Sequence, residues 1–197
     1  MRASTRRQFI AGPAGRIECA VDSPDGEAQG IALIAHPHPL FGGTLDNKVV
    51  QTLARAFLEG GYETWRPYFR GVGETEGSHD EGRGELEDLA AIVAELKPQR
   101  LALAGFSFGA AVVGQLAARV RPENLVLVGV GVTRLPVPPV QAGTLVIHGE
   151  LDDTVPLSAV LDWARPQELP IVLIPGADHF FHRKLQILRG IVRASLR

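Results

Sequence analysis

The chain has 197 residues, 45% of them apolar and 21% charged, with a formal net charge of −2. That size suits one globular domain with a real core, and the charge balance argues against a nucleic-acid or anionic-membrane partner. A single cysteine, Cys19, excludes an intrachain disulfide, and no apolar run reaches the ~20 residues of a membrane helix. Arg2, Arg6 and Arg7 read as a solvated end, and no long apolar run follows them as a secretory signal requires. A cytoplasmic protein is expected.

In chain order, residues 8–11 and 16–21 read as two short strands joined through Pro13-Ala14-Gly15, an antiparallel pair at a sheet edge. Cys19 is expected to pack there as a small apolar residue. Residues 31–35 (Ile-Ala-Leu-Ile-Ala) form a continuous apolar run, as a strand covered on both faces requires. Asp46 is the expected N-cap of a helix carrying Val49, Val50, Leu53, Ala54, Phe57 and Leu58 at helical spacing, which Gly60-Gly61 ends. A strand over 63–69 and a helix over 85–96 follow, with Leu86, Leu89, Ile92, Val93 and Leu96 on one stripe. Strands are predicted at 100–104, 125–128, 145–147 and 171–174, helices at 157–163 and from 181 onward. Strands alternating with helices imply a mostly parallel sheet of about seven to eight strands with helices on both faces. No repeat or linker marks a second domain. Between Val132 and Thr144, Pro136, Pro138 and Pro139 exclude a helix of useful length, so that connection has no room for a lid.

The chemistry centres on Gly105-Phe106-Ser107-Phe108-Gly109, which follows an apolar strand and opens an apolar helix. A turn this sharp puts the serine on an exposed tip, and flanking glycines keep side chains out of the neighbouring helix and strand. The hydroxyl then sits at a helix N-terminus, which favours the negative charge that develops in acyl transfer. A serine needs a base and the base an orienting group. In parallel sheets such groups collect beyond the strand C-termini. Residues 148–156 and 176–180 qualify, and the order is Ser107, Asp152, His179. Of the other histidines, His148 is expected to hold an adjoining loop, His182 to sit on the final helix and His79 to be solvated.

From residue 31 onward the chain resembles an α/β-hydrolase. It is similar to a small bacterial subgroup with His-Pro-His-Pro-Leu-Phe-Gly-Gly after the first parallel strand, here His36 to Gly43. Asp46-Asn47-Lys48 and the stretch from Arg70 to Gly77 also match, although relatives commonly carry Ser near Thr75. The resemblance implies a Ser-Asp-His triad and hydrolysis of an ester or related acyl bond. The superfamily pattern maps its acid onto Asp152, ahead of Val155-Pro156, rather than onto Asp153 or Asp178.

An oxyanion hole needs two N–H donors. Phe108 is expected to supply one. Pro37 and Pro39 have no N–H, so the backbone of His38 is expected to supply the other, with Leu40 as the fallback. His36-x-His38 as a zinc pair lacks a third ligand, so no metal and no cofactor is expected. The substrate is expected to be a small ester with a short acyl chain, bound in a shallow site walled partly by Leu40, Phe41 and Phe180. Phe106 is better read as core. The competing expectation is a hydrolase-like fold used only to bind a ligand. A nucleotide-binding loop is disfavoured, because no lysine follows Gly105 to Gly109.

Overall fold

The structure is a computed structural model that describes residues 4–196. Eight strands form one sheet: β1 (Arg6–Gly12), β2 (Gly15–Asp22), β3 (Ile31–Ala35), β4 (Glu63–Pro67), β5 (Leu101–Phe106), β6 (Asn124–Val128), β7 (Leu145–Gly149) and β8 (Ile171–Ile174). Their spatial order is β1-β2-β4-β3-β5-β6-β7-β8. All neighbours from β4 to β8 pair in parallel, while β1 and β2 pair antiparallel with each other and β2 with β4. The expected edge pair is therefore present. Arg66 of β4 and Asp22 of β2 form a buried ion pair at 2.6 Å that ties this edge to the parallel sheet.

Five helices cover the sheet: α1 (Lys48–Glu59), α2 (Arg83–Leu96), α3 (Phe108–Val120), α4 (Leu157–Ala164) and α5 (Leu185–Ser195). On one face Phe57 and Leu53 of α1 and Leu188 and Val192 of α5 share a core with Ile34, Ala104 and Val128. On the other, Leu86 and Leu89 of α2 and Val112, Val113 and Leu116 of α3 pack with Leu33, Leu103 and Leu127. Alternate residues of each central strand thus feed opposite cores, which explains their unbroken apolar runs.

Several element bounds differ from the sequence reading. The N-cap of α1 is Asn47, whose Oδ1 accepts from the Val49 N–H at 2.9 Å; Asp46 stands one residue too early. β4 stops at Pro67, and the Phe69 N–H leaves the sheet to donate to His36 Nε2 at 2.9 Å. α2 begins two residues earlier than expected, with Glu85 reaching back to the Gly82 N–H at 2.8 Å. β5 runs on to Phe106 and β7 to Gly149. α5 begins at Leu185 instead of 181, because Phe181 and Arg183 adopt left-handed backbone with φ of 55° and 60°. His182 therefore lies in a turn, bonded at 2.6 Å to Asp178, rather than on a helix.

β3 pairs with β4 on one side and β5 on the other, so the chain changes direction across the sheet between β3 and β5. Such a switch leaves a crevice beyond the strand C-termini. The His36–Gly43 loop leaves β3 there, and Ser107 leaves β5.

Candidate active site

Ser107 sits between β5 and α3 with φ 57° and ψ −115°, a conformation rare for a residue with a side chain. The tight approach around it accounts for both glycines. A Cβ at Gly105 would lie 2.5 Å from the Gly109 backbone, and one at Gly109 would collide with the carbonyl oxygens of Ala35 and His36. The start of α3 is thus pressed against the end of β3, which sets the Phe108 amide beside the His36–Gly43 loop.

His179 reaches this serine from the loop after β8. Gly149 lets that loop cross the end of β7: a Cβ there would lie 2.6 Å from the Ala177 oxygen. The Leu151 N–H donates to the same oxygen at 2.8 Å. His179 Nδ1 lies 2.7 Å from Asp152 Oδ2, and its Nε2 lies 3.1 Å from Ser107 Oγ. The ring is wedged against Phe106, with centroids 4.9 Å apart, and Phe106 is core as expected. Asp152 Oδ1 accepts the N–H groups of Val155 at 2.8 Å and Thr154 at 3.0 Å. Burial by itself would push the Asp152 carboxyl up. The bonds from His179 and Val155 and the adjacent imidazoles outweigh burial and hold it below the ordinary range. Asp153 and Asp178 do not reach His179. Asp153 pairs with Thr154, and Asp178 with His182. His148 anchors the loop, as expected, through a 3.0 Å bond to the Val155 carbonyl. Burial pushes its pKa down.

The His36–Gly43 loop folds into a short 3-10 turn at Pro39–Phe41. The Gly43 N–H donates to the His38 carbonyl at 3.0 Å, and the Leu40 N–H to His38 Nδ1 at 3.3 Å. The His38 N–H has no acceptor among the described residues. Phe108 opens α3, where the first N–H groups have no partner inside the helix. The His38 ring packs on Phe108 with centroids 4.7 Å apart, and burial, with His79 and Arg134 nearby, lowers its pKa. His36 turns away from His38. Its Nδ1 lies 2.7 Å from the Pro37 oxygen and its Nε2 accepts from Phe69, so both ring nitrogens are occupied within the protein.

Ser107, His179, His38, Phe108, Phe41 and Phe180 border one cleft of about 260 Å³. Phe41 and Phe180 stand at its rim, 70% and 46% exposed. Leu40 is 69% exposed and is not part of the lining. Thr154 and Arg134 also line the cleft and were not singled out from sequence, and Asn47, named only within the matching Asp46-Asn47-Lys48 stretch, lines it too. Arg134 lies in the proline-bounded connection after β6, where no periodicity marks a position. His79, expected in solvent, is instead largely buried, with Nδ1 2.9 Å from the fully buried Glu85 and its ring 4.7 Å from that of His38. No helix of the described residues is long and apolar enough to cross a membrane.

No protein-family model matches the chain. An uncharacterized protein of Rickettsia prowazekii is 32% identical over 198 residues, covering 90% of this chain and 83% of that protein. An α/β serine hydrolase homologue from Coxiella burnetii superposes with a TM-score of 0.91 at 35% identity, over the whole of both chains. An α/β serine hydrolase without a lid from Xanthomonas campestris superposes with a TM-score of 0.89 at 37% identity, covering all of this chain and 95% of that one. At 35–37% identity over the whole of this chain, with this eight-stranded sheet, the chain belongs to the lidless α/β serine hydrolases.

Proposed function

We propose that the protein hydrolyses short-chain carboxylic esters, thioesters included, through an acyl-enzyme on Ser107. The observation that carries this reading is His179, held between Asp152 at 2.7 Å and Ser107 at 3.1 Å. In this mechanism His179 Nε2 removes the Ser107 proton as Oγ attacks the substrate carbonyl. The imidazolium is stabilised by Asp152 and then gives the proton to the departing alcohol or thiol. Water, deprotonated by the same imidazole, attacks the acyl-serine; the acid leaves and Ser107 regains its proton.

The tetrahedral oxyanion would be held by the backbone N–H groups of Phe108 and His38. Two observations favour His38 over Leu40: its N–H is free of an internal acceptor, and that of Leu40 is engaged by His38 Nδ1. Short acyl chains follow from a cleft of about 260 Å³, with residues 129–144 forming no helix above it. Phe41 and Phe180 supply apolar surface at the rim, whereas Leu40, expected to share that role, lies outside the lining. The test is a series of para-nitrophenyl esters from acetate to palmitate with wild type and Ser107→Ala. Acetate and butyrate should be hydrolysed fastest, and only by wild type. Faster hydrolysis of palmitate would overturn the substrate class.

A further inference from the structure

The cleft carries one permanent charge, and it is unmatched. Arg6, Arg7, Arg66, Arg70 and Arg100 each hold a carboxylate. Arg134 lines the cleft and has no carboxylate partner among the described residues. No Asp or Glu among the described residues lines the cleft either. Glu85 is buried against His79, and Asp152 against His179.

Arg134 is also held in place. Its backbone belongs to a turn fastened to the nucleophile: the Gly131 N–H donates to the Ser107 carbonyl at 3.1 Å, and the Arg134 N–H to the Gly131 carbonyl at 3.1 Å. Its guanidinium lies over the Phe41 ring, 4.9 Å from the centre, with the edge donors free. Phe41 packs against His38, and His38 against Phe108. A planar cation is thereby placed at the edge of the small cleft that Ser107 also lines, with no carboxylate bonded to it among the described residues.

We infer that Arg134 selects esters that carry a carboxylate, such as hemi-esters of short dicarboxylic acids. This rests on the esterase reading of the same cleft. A guanidinium fork pairs with a carboxylate through two parallel hydrogen bonds, and the ring stack leaves that fork accessible. Asn47 and Thr154 add neutral polar groups to the lining, which suits a substrate with a charged end.

The test compares each carboxylate ester with its neutral match. On the acyl side these are mono-para-nitrophenyl glutarate and para-nitrophenyl pentanoate. On the alcohol side they are para-acetoxybenzoate and para-acetoxybenzamide. The readout is the ratio of kcat/KM within each pair, for wild type, Arg134→Gln and Arg134→Lys, with and without molar NaCl. At least one carboxylate ester should be preferred about threefold to tenfold by wild type, as for a partly exposed ion pair. Salt and Arg134→Gln should each bring that ratio to about one, and Arg134→Lys should keep part of it. The inference is overturned if neither carboxylate ester is preferred, or if the preference survives both salt and Arg134→Gln. Failure to hydrolyse any ester, together with no fluorophosphonate adduct on Ser107, would overturn the esterase reading and this inference with it.

Discussion

His36 holds the Pro37 carbonyl at 2.7 Å while accepting the Phe69 N–H at 2.9 Å. A carbonyl oxygen only accepts, so Nδ1 carries the proton and Nε2 is bare. The ring is a neutral clamp between the β3 loop and the segment after β4. The Pro37–His38 peptide is trans, so its oxygen and the His38 N–H point in opposite directions. Fixing the Pro37 oxygen therefore fixes the direction of the His38 N–H.

His36→Asn should shift that peptide plane without touching Ser107, Asp152 or His179. On the proposed mechanism kcat falls about tenfold to a hundredfold, less than or equal to the loss of a whole oxyanion donor. KM should change little. Affinity for a trifluoromethyl ketone, which mimics the tetrahedral adduct, should fall by a similar factor. A rise in KM with unchanged kcat would remove His36 from oxyanion positioning.

The same clamp predicts a pH dependence of stability. Burial pushes His36 down from the ordinary 6.5 to about 4, partly opposed by the Pro37 bond. Between those values the unfolded chain binds more protons than the native state, so stability rises with pH. The contribution is complete above about pH 6.5, declines as pH falls toward 4, and is flat below; its full span is about 3 kcal/mol. Urea unfolding of wild type and His36→Gln should show a stability gap that narrows on going from neutral pH to about pH 5. A gap independent of pH would contradict the assignment.

Asp152→Asn should keep the fold, since the amide oxygen can still accept from Val155 or Thr154. It disfavours the tautomer of His179 that accepts the Ser107 proton, and kcat for an ester substrate should fall by about 10⁴. Asp153→Asn, by contrast, should retain activity within about twofold, because its exposed carboxylate accepts from Thr154 and does not reach His179. Comparable losses in both variants would argue against Asp152 as the orienting acid.

Gly109→Ala should be destabilising by about 1–3 kcal/mol, since the added methyl meets backbone of β3 that cannot rotate away. Thermal unfolding measures this directly, and activity should fall as the elbow shifts. An unchanged melting temperature would show that the β3–α3 contact has slack.

The meeting of Ser107, Asp152 and His179 was legible from sequence because each follows a strand that is recognisable on its own, and the parallel sheet brings strand C-termini together. Cys19 was legible as core for the same reason: it sits in an apolar strand, fully buried, its pKa pushed up to about 12 by burial. Boundaries set by a single hydrogen bond were not legible. Asp46 and Asn47 are both good caps, and only the path of the loop chooses Asn47. Phe181 and Arg183 give no sequence sign of left-handed backbone, so the start of α5 was missed. Arg134 reaches the cleft through the Gly131 turn, and His79 reaches the His38 ring through the buried Glu85; both are tertiary packing, and nothing local in the chain announces either.

On the proposed mechanism Ser107 is the nucleophile and His179 activates it. Intact-mass and peptide mass spectrometry after treatment with a fluorophosphonate test it most directly. One adduct per chain is expected, on the peptide containing Ser107, absent from Ser107→Ala and greatly slowed in His179→Ala. An adduct on another residue, or labelling that persists in Ser107→Ala, would contradict it.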